Sequence, residues 1–324
     1  MIALSAASVP AEVFGAGGTV GFEWWQVLLI LVAGLWAGTI NTIVGSGTLV
    51  TFPVLVTMGV PPVTASMSNA MGLIAGNLTG AWSYRSELRG LKRTLLKLLP
   101  CSVVGGVIGA VLLLHLPEEV FEVVAPVLIV VALLFVVFQP RLQAVVRARK
   151  ERQASTSGAA QGAPEHDAAV PAEKGTAASS AQPDGAVPAQ AGTAASSVQV
   201  DGSPQPAVLY VLVFLAGIYG GYFVAAQGVL LVGILGVFLL APLQSANAVK
   251  NALVAAVNIV AAISYVLLAF DRINWWVVLL IAVSSTVGSW LGAKIGKRMS
   301  PVVLRTVIVV LGLVALANMV SNLL

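Results

Sequence analysis

The residues best able to do chemistry in this chain are small and uncharged. Gly45-Ser46-Gly47-Thr48 places two hydroxyls among two glycines, inside an apolar run. Asn41 and Thr42 precede it, and Ser66, Ser68, Asn69 and Asn77 follow. Gln227-Gly228 interrupts a second apolar run, and Lys250 and Asn251 come soon after. Irregular backbone at membrane depth persists only where protein, water or a ligand satisfies it. Backbone N–H groups freed at such a break, with hydroxyl and amide donors beside them, suit an anion. A half-helix that starts at the break adds the positive end of its dipole. The expected site is therefore an anion site built from Asn41, Gly45, Ser46, Gly47, Thr48, Ser68, Asn69, Gln227, Gly228, Lys250 and Asn251. Thr42, Ser66 and Asn77 are further candidates.

The charged residues narrow this reading. None of the 13 Asp and Glu residues falls in the middle of an apolar run. That argues against a proton relay of buried carboxylates and against a multi-carboxylate cation site. Lys250, in "SANAVKNALVAAVN", either lines an anion path or snorkels to the interface along its own stem. Lys97 and Arg305 stand near inner ends and read as snorkelling residues. Cys101 is alone, and His115 and His166 lack the companions a metal site needs. No nucleophile–base pair or nucleotide-binding loop lies in the apolar runs. No catalytic residue, metal or cofactor is expected.

The elements that must position these residues are membrane helices. Of 324 residues, 58% are hydrophobic and 9% charged, with mean hydropathy +0.95. Soluble domains carry about 25% charged residues, so the chain reads as an all-α integral membrane protein. Its net charge of +4 is what cytoplasmic loops collect, and no nucleic-acid partner is expected. Runs of spanning length occur near 65–84, 98–115, 120–139, 246–269, 274–292 and 302–323. Two longer runs, 24–59 and 207–241, are broken by glycine and proline. Residues 1–23 read as a flexible lead-in, with Trp24 and Trp25 anchoring the first span. Residues 141–206, with text such as "GTAASSAQPDGAVPAQAGTAASS", read as a disordered Ala/Ser/Pro/Gly-rich cytoplasmic linker. Gly34, Gly38, Gly105, Gly106, Gly109, Gly217 and Gly221 suit close helix packing.

The linker separates two halves, 24–140 and 207–324, with the same order of runs. "AGLWAG" at 33–38 parallels "AGIYGG" at 216–221, and "GSGTLV" at 45–50 parallels "AQGVLL" at 226–231. Asn69 and Asn77 are answered by Asn251 and Asn258. The basic stretches "YRSELRGLKRTLLK", "RLQAVVRARKER" and "AKIGKR" belong in the cytoplasm. Both termini then fall outside. The run 24–59 must begin and end on the outer side, and 207–241 on the inner side. Each is then an interrupted or re-entrant hairpin, and the two four-helix repeats are inverted. Such hairpins meeting near the midplane make the site of many secondary transporters.

The stretch "AGTINTIVGSGTLVTFPVLVTMGVPPVTASMSNAMGLIAGNLTGAWSYRSEL" resembles the first repeat of the TauE/SafE family of sulfite exporters and sulfonate permeases. "LAPLQSANAVKNALVAAVN" resembles the matching region of its second repeat. The likeness covers both halves but not the linker. Gly45, Gly47, Pro53, Ala65, Ser68 and Asn69 carry the family pattern, whereas the second half keeps only Gly228 of the glycine-rich turn. The resemblance implies transport of small sulfur-containing or organic anions (sulfite, thiosulfate, sulfonates) across a bacterial cytoplasmic membrane. An anion channel on the same scaffold, or a membrane protein that does not transport, are the competing readings. Substrate, direction, coupling ion (H+ or Na+) and oligomeric state stay open.

Overall fold

The computed structural model describes residues 22–160, 205–239 and 243–295, with scattered positions between 306 and 321. All regular structure among the described residues is helical. Helix α1 spans Trp24–Ile43 and opens where Gln26 Oε1 accepts the Glu23 N–H at 2.8 Å. It stops ahead of Gly45, whose φ of +95° only glycine adopts freely. Helix α2, Thr48–Thr57, is ended by a second left-handed glycine, Gly59 at φ +85°. Helix α3, Pro62–Ser83, takes proline in its first turn, where a missing N–H costs nothing. A single turn, α4 (Arg85–Leu88), leads through the basic loop into α5, Lys92–His115. Helix α6 spans Glu118–Ala160.

The second half begins with α7, Ala207–Tyr222, then a 3-10 turn at Val224–Ala226, then α8, Gln227–Phe238. Helices α9, Leu243–Leu268, and α10, Trp275–Ile295, follow. The last apolar run is described only in part, but Ile308 is buried and Gly312 lies against Leu133 of α6.

Five helical segments are long and apolar enough to cross a bilayer: α1, α5, Glu119–Phe138 of α6, Gln244–Leu268 of α9, and α10. The chain is thus a multi-pass, all-α membrane protein. Helix α3, expected as a span, has the length but is not among the five. Its buried Ser66, Ser68, Asn69 and Asn77 lower its hydropathy. The exterior is apolar: Val123, Val127 and Leu134 on α6, and Leu279, Val283 and Val287 on α10, form outward stripes at helical spacing.

Helix α1 packs along α10 and α7 packs along α5. In the same way α3 packs on α10 and α9 on α5, while α3 and α9 meet each other. The glycines expected at helix contacts make them. Gly34 and Gly38 lie on Ser284 and Ser285, and Gly105 and Gly109 lie on α7 backbone. Gly217 and Gly221 return the contact to α5.

Helix α6 differs from expectation. It runs to Ala160, so residues 141–160 are helical where a linker was expected from 141. Arg, Gln and Ala dominate that stretch, and their own propensity favours a helix. Residues 161–204 of the expected linker, and 1–21 of the lead-in, lie outside the described residues.

Candidate functional site at the two helix breaks

The first break turns the chain back on itself. A Cβ on Gly47 would strike the Ala37 carbonyl and come within 3.0 Å of Asn41 Cβ, so the start of α2 runs beside the last turns of α1. The second break is made by Phe223, in extended backbone with φ −149°, and the 3-10 turn after it. Gly45 and Gly228, one from each break, pack backbone to backbone. Phe223 at the second break packs against Phe52 of α2 and Phe121 of α6, with ring centroids 5.2 Å (Phe52–Phe223) and 6.2 Å (Phe121–Phe223) apart.

Amides and hydroxyls fix the first break. Asn41 Nδ2 donates to Asn77 Oδ1, and Asn41 Oδ1 faces the Gly47 N–H at 3.5 Å. Asn69 holds the beginning of α2. Its Nδ2 donates to Thr48 Oγ1 at 3.1 Å, and its Oδ1 accepts from Thr51 Oγ1 at 2.5 Å. Thr42 Oγ1 donates to the Gly38 carbonyl of its own helix at 3.0 Å.

Lys250 does not snorkel. It is 1% exposed and reaches from α9 to the end of α1. Its Nζ donates to the Asn41 carbonyl at 2.9 Å and to the Thr42 carbonyl at 3.4 Å. Carbonyls in the last turn of a helix lack intrahelical partners and sit at its negative end, so a cation suits the place. No carboxylate is bonded to Lys250 among the described residues.

Buried polar atoms without a partner among the described residues include Ser46 Oγ, Asn77 Nδ2, Asn251 Nδ2, and both amide atoms of Gln227 and Asn258. Asn251 Nδ2 and Thr42 Oγ1 both face Gly80, 3.3 and 3.2 Å from where its Cβ would be. The Gln227 side chain lies over Gly220. A buried polar group without a protein partner generally marks a place for water or ligand. All five of these side chains bring a donor, the Lys250 cation is bonded at the end of α1, and no acid is added among the described residues. That combination favours a solute rich in acceptors. Among the described residues no cluster of three His, Cys, Asp or Glu could hold a metal.

Most of the expected residues gather at the breaks, but Ser68 does not. Its Oγ accepts the Asn274 N–H at 3.0 Å, and Asn274 Oδ1 accepts the Val277 N–H at 3.2 Å at the start of α10. Ser68 therefore serves the joint between α3 and α10. Sequence reasoning also passed over Thr51 and Tyr265, and noted Asn258 only as the repeat counterpart of Asn77. Thr51 bonds Asn69, Asn258 is buried without a partner among the described residues, and Tyr265 Oη donates to the Gly221 carbonyl at 2.9 Å. A tyrosine well inside an apolar run needs a partner for its hydroxyl, which was the available signal for Tyr265. A separate groove of about 490 Å3 lies between α6, α7 and α8, lined by Phe135, Phe138, Leu212, Ile234 and Phe238. Its lining is apolar apart from Arg141, and it does not coincide with the polar cluster.

The family model described as "Sulfite exporter TauE/SafE" matches residues 30–319. The chain is 26% identical over 113 residues to "Probable membrane transporter protein ORF9" of Sinorhizobium sp., covering 35% of this chain and 43% of the relative. It is 26% identical over 114 residues to "Probable membrane transporter protein" of Haemophilus influenzae, covering 35% and 45% respectively. The alignments thus span less than half the length of either relative. No solved structure matches.

Proposed function

The chain belongs to the sulfite exporter TauE/SafE family of membrane transporters, and from that premise we propose that it is a secondary transporter (permease) for small anions. The substrates are sulfur-containing or organic anions such as sulfite, thiosulfate or sulfonates. The observation that carries this reading is the buried Lys250 ammonium, bonded to no carboxylate among the described residues, together with buried donors of Ser46, Asn77, Asn251, Gln227 and Asn258 that have no partner among them. A buried cation without a counter-charge costs several kcal/mol, and an arriving anion relieves that cost. The carrier uses no chemistry on its substrate and is not an enzyme.

The mechanism is alternating access between two inverted repeats, 24–140 and 207–324, with Asn41, Gly45, Ser46, Gly47, Thr48, Asn69, Gln227, Gly228, Lys250 and Asn251 at the substrate. Two observations support it. Each half opens with a helix, a break and a short helix. Exchanging the halves also exchanges the α1–α10 packing for α7–α5. The protein sits in the cytoplasmic membrane with its basic loops inside and both termini outside.

The test is uptake by the purified protein in liposomes of sulfite, thiosulfate, sulfoacetate and sulfate. At least one should be taken up, faster when unlabelled substrate is present on the far side, and Gln227→Leu should slow it. Flux without that acceleration would indicate a channel. No flux of any of the four would overturn the reading.

A further inference from the structure

Transporters built on broken helices often bind their coupling cation at the carbonyl end of the break. In this chain that place is filled from within. The Asn41 and Thr42 carbonyls, in the last turn of α1, accept from Lys250 Nζ at 2.9 and 3.4 Å. The ammonium is held in a buried position by α9, which packs against α3 and α5. The second break is closed by a neutral group from the same helix, since Tyr265 Oη donates to the Gly221 carbonyl at 2.9 Å.

We propose that the Lys250 ammonium is a tethered replacement for the coupling cation at the first break, and that transport by this chain is independent of Na+. The inference rests on the reading of the chain as a secondary transporter and deepens it. A sodium ion and an ammonium carry the same charge and draw on the same oxygens. Two such charges a few ångströms apart in a buried site repel strongly, so one excludes the other. The lysine is covalently held and travels with α9, so it needs no gradient to load it. It supplies the positive charge that a co-transported ion would otherwise bring to the anion. The structure assigns Asn41 and Thr42 the role of cation ligands and gives them a built-in cation. Removing that cation should leave a vacancy that Na+ can enter.

The full chain is reconstituted in liposomes, and sulfite uptake is measured with an inward Na+ gradient or an equal gradient of N-methylglucamine. Wild type should give the same rate within about twofold, a difference of less than one tenfold step of 1.4 kcal/mol. Clear Na+ stimulation of wild type would overturn the inference while leaving anion transport standing. In detergent, the melting temperature of wild type should be the same in the two salts, whereas that of Lys250→Ala should rise in Na+ alone. A Lys250→Ala protein indifferent to Na+ would show that the carbonyls make no cation place, and would equally overturn it. Lys250→Arg, which keeps a cation, should melt at the same temperature in the two salts. If Lys250→Ala does not fold, Lys250→Met takes its place, and the wild-type comparison stands without either. The melting measurement uses no substrate, so failure to find sulfite flux would count against the proposed function alone.

Discussion

Gly45 and Gly228 each occupy the space of the other's missing side chain. A Cβ on Gly45 would lie 2.7 Å from the Cα of Gly228, and one on Gly228 would lie 2.6 Å from the Cα of Gly45. The two halves of the chain are therefore in contact at their irregular points, with no side chain between them.

This contact can be separated from backbone strain. Gly59 also has a left-handed backbone, φ +85°, but a Cβ there would meet nothing within 4 Å. Gly59→Ala should cost about 1 kcal/mol of stability and leave sulfite uptake intact. Gly228→Ala has no such backbone penalty yet meets Gly45, and it should reduce uptake about tenfold or more, equivalent to 1.4 kcal/mol. Melting curves and liposome uptake on the three proteins, with Gly45→Ala combining both effects, check this. Normal uptake by Gly228→Ala would show that the contact does not matter to transport.

Ser46 is fully buried and its hydroxyl has no partner among the described residues. Removing such a group does not lose a protein hydrogen bond and removes a desolvation penalty of about 1–3 kcal/mol. Ser46→Ala should therefore be as stable as wild type or more so, while the KM for sulfite rises. Thermal unfolding and initial-rate kinetics distinguish this from a structural role, in which stability would fall and KM would hold.

Ser68 should behave in the opposite way. Its bond to the Asn274 N–H joins α3 to α10 away from the breaks. Ser68→Ala should lower stability by about 0.6–1.7 kcal/mol, the range for polar contacts between membrane helices. Its KM should match wild type. A raised KM would return Ser68 to the site.

Asn69→Asp places a carboxylate at the start of α2 and removes the donor to Thr48. At neutral pH its charge should repel an anionic substrate. A carboxyl takes up a proton and loses its charge as pH falls. Uptake by Asn69→Asp, measured against wild type at each pH, should recover on acidification. A constant ratio across pH would show that charge at this position is not felt.

Much of this architecture is legible in composition and punctuation. The positions of Gly45, Gly59, Pro61 and Pro62 mark where helices stop and start, because their backbone preferences are local. Ser68 shows where such reading ends. It neighbours Asn69 in sequence but lies about 100° around the helix, so the two residues serve different partners. Only the packing of α10 on α3 decides which is which. The direction of Lys250 is likewise tertiary. A lysine one turn or more inside a span either follows its own stem outward or finds an acceptor on a neighbour, and here the end of α1 provides one. The extension of α6 past Pro140 was hidden for another reason, since Ala, Gln and Arg serve helix and linker alike.

Lys250 and Tyr265 stand on one helix, roughly 22 Å apart along its axis at 1.5 Å per residue. Helix α9 contains no proline or glycine between 243 and 268, the usual origins of a kink. It is a stiff crossbar with a latch near each end, one on α1 and one on α7. A rocking of α9 that lifts one latch must shift the other at the same moment. The two breaks share a timing that neither could keep if each were fastened by its own helix.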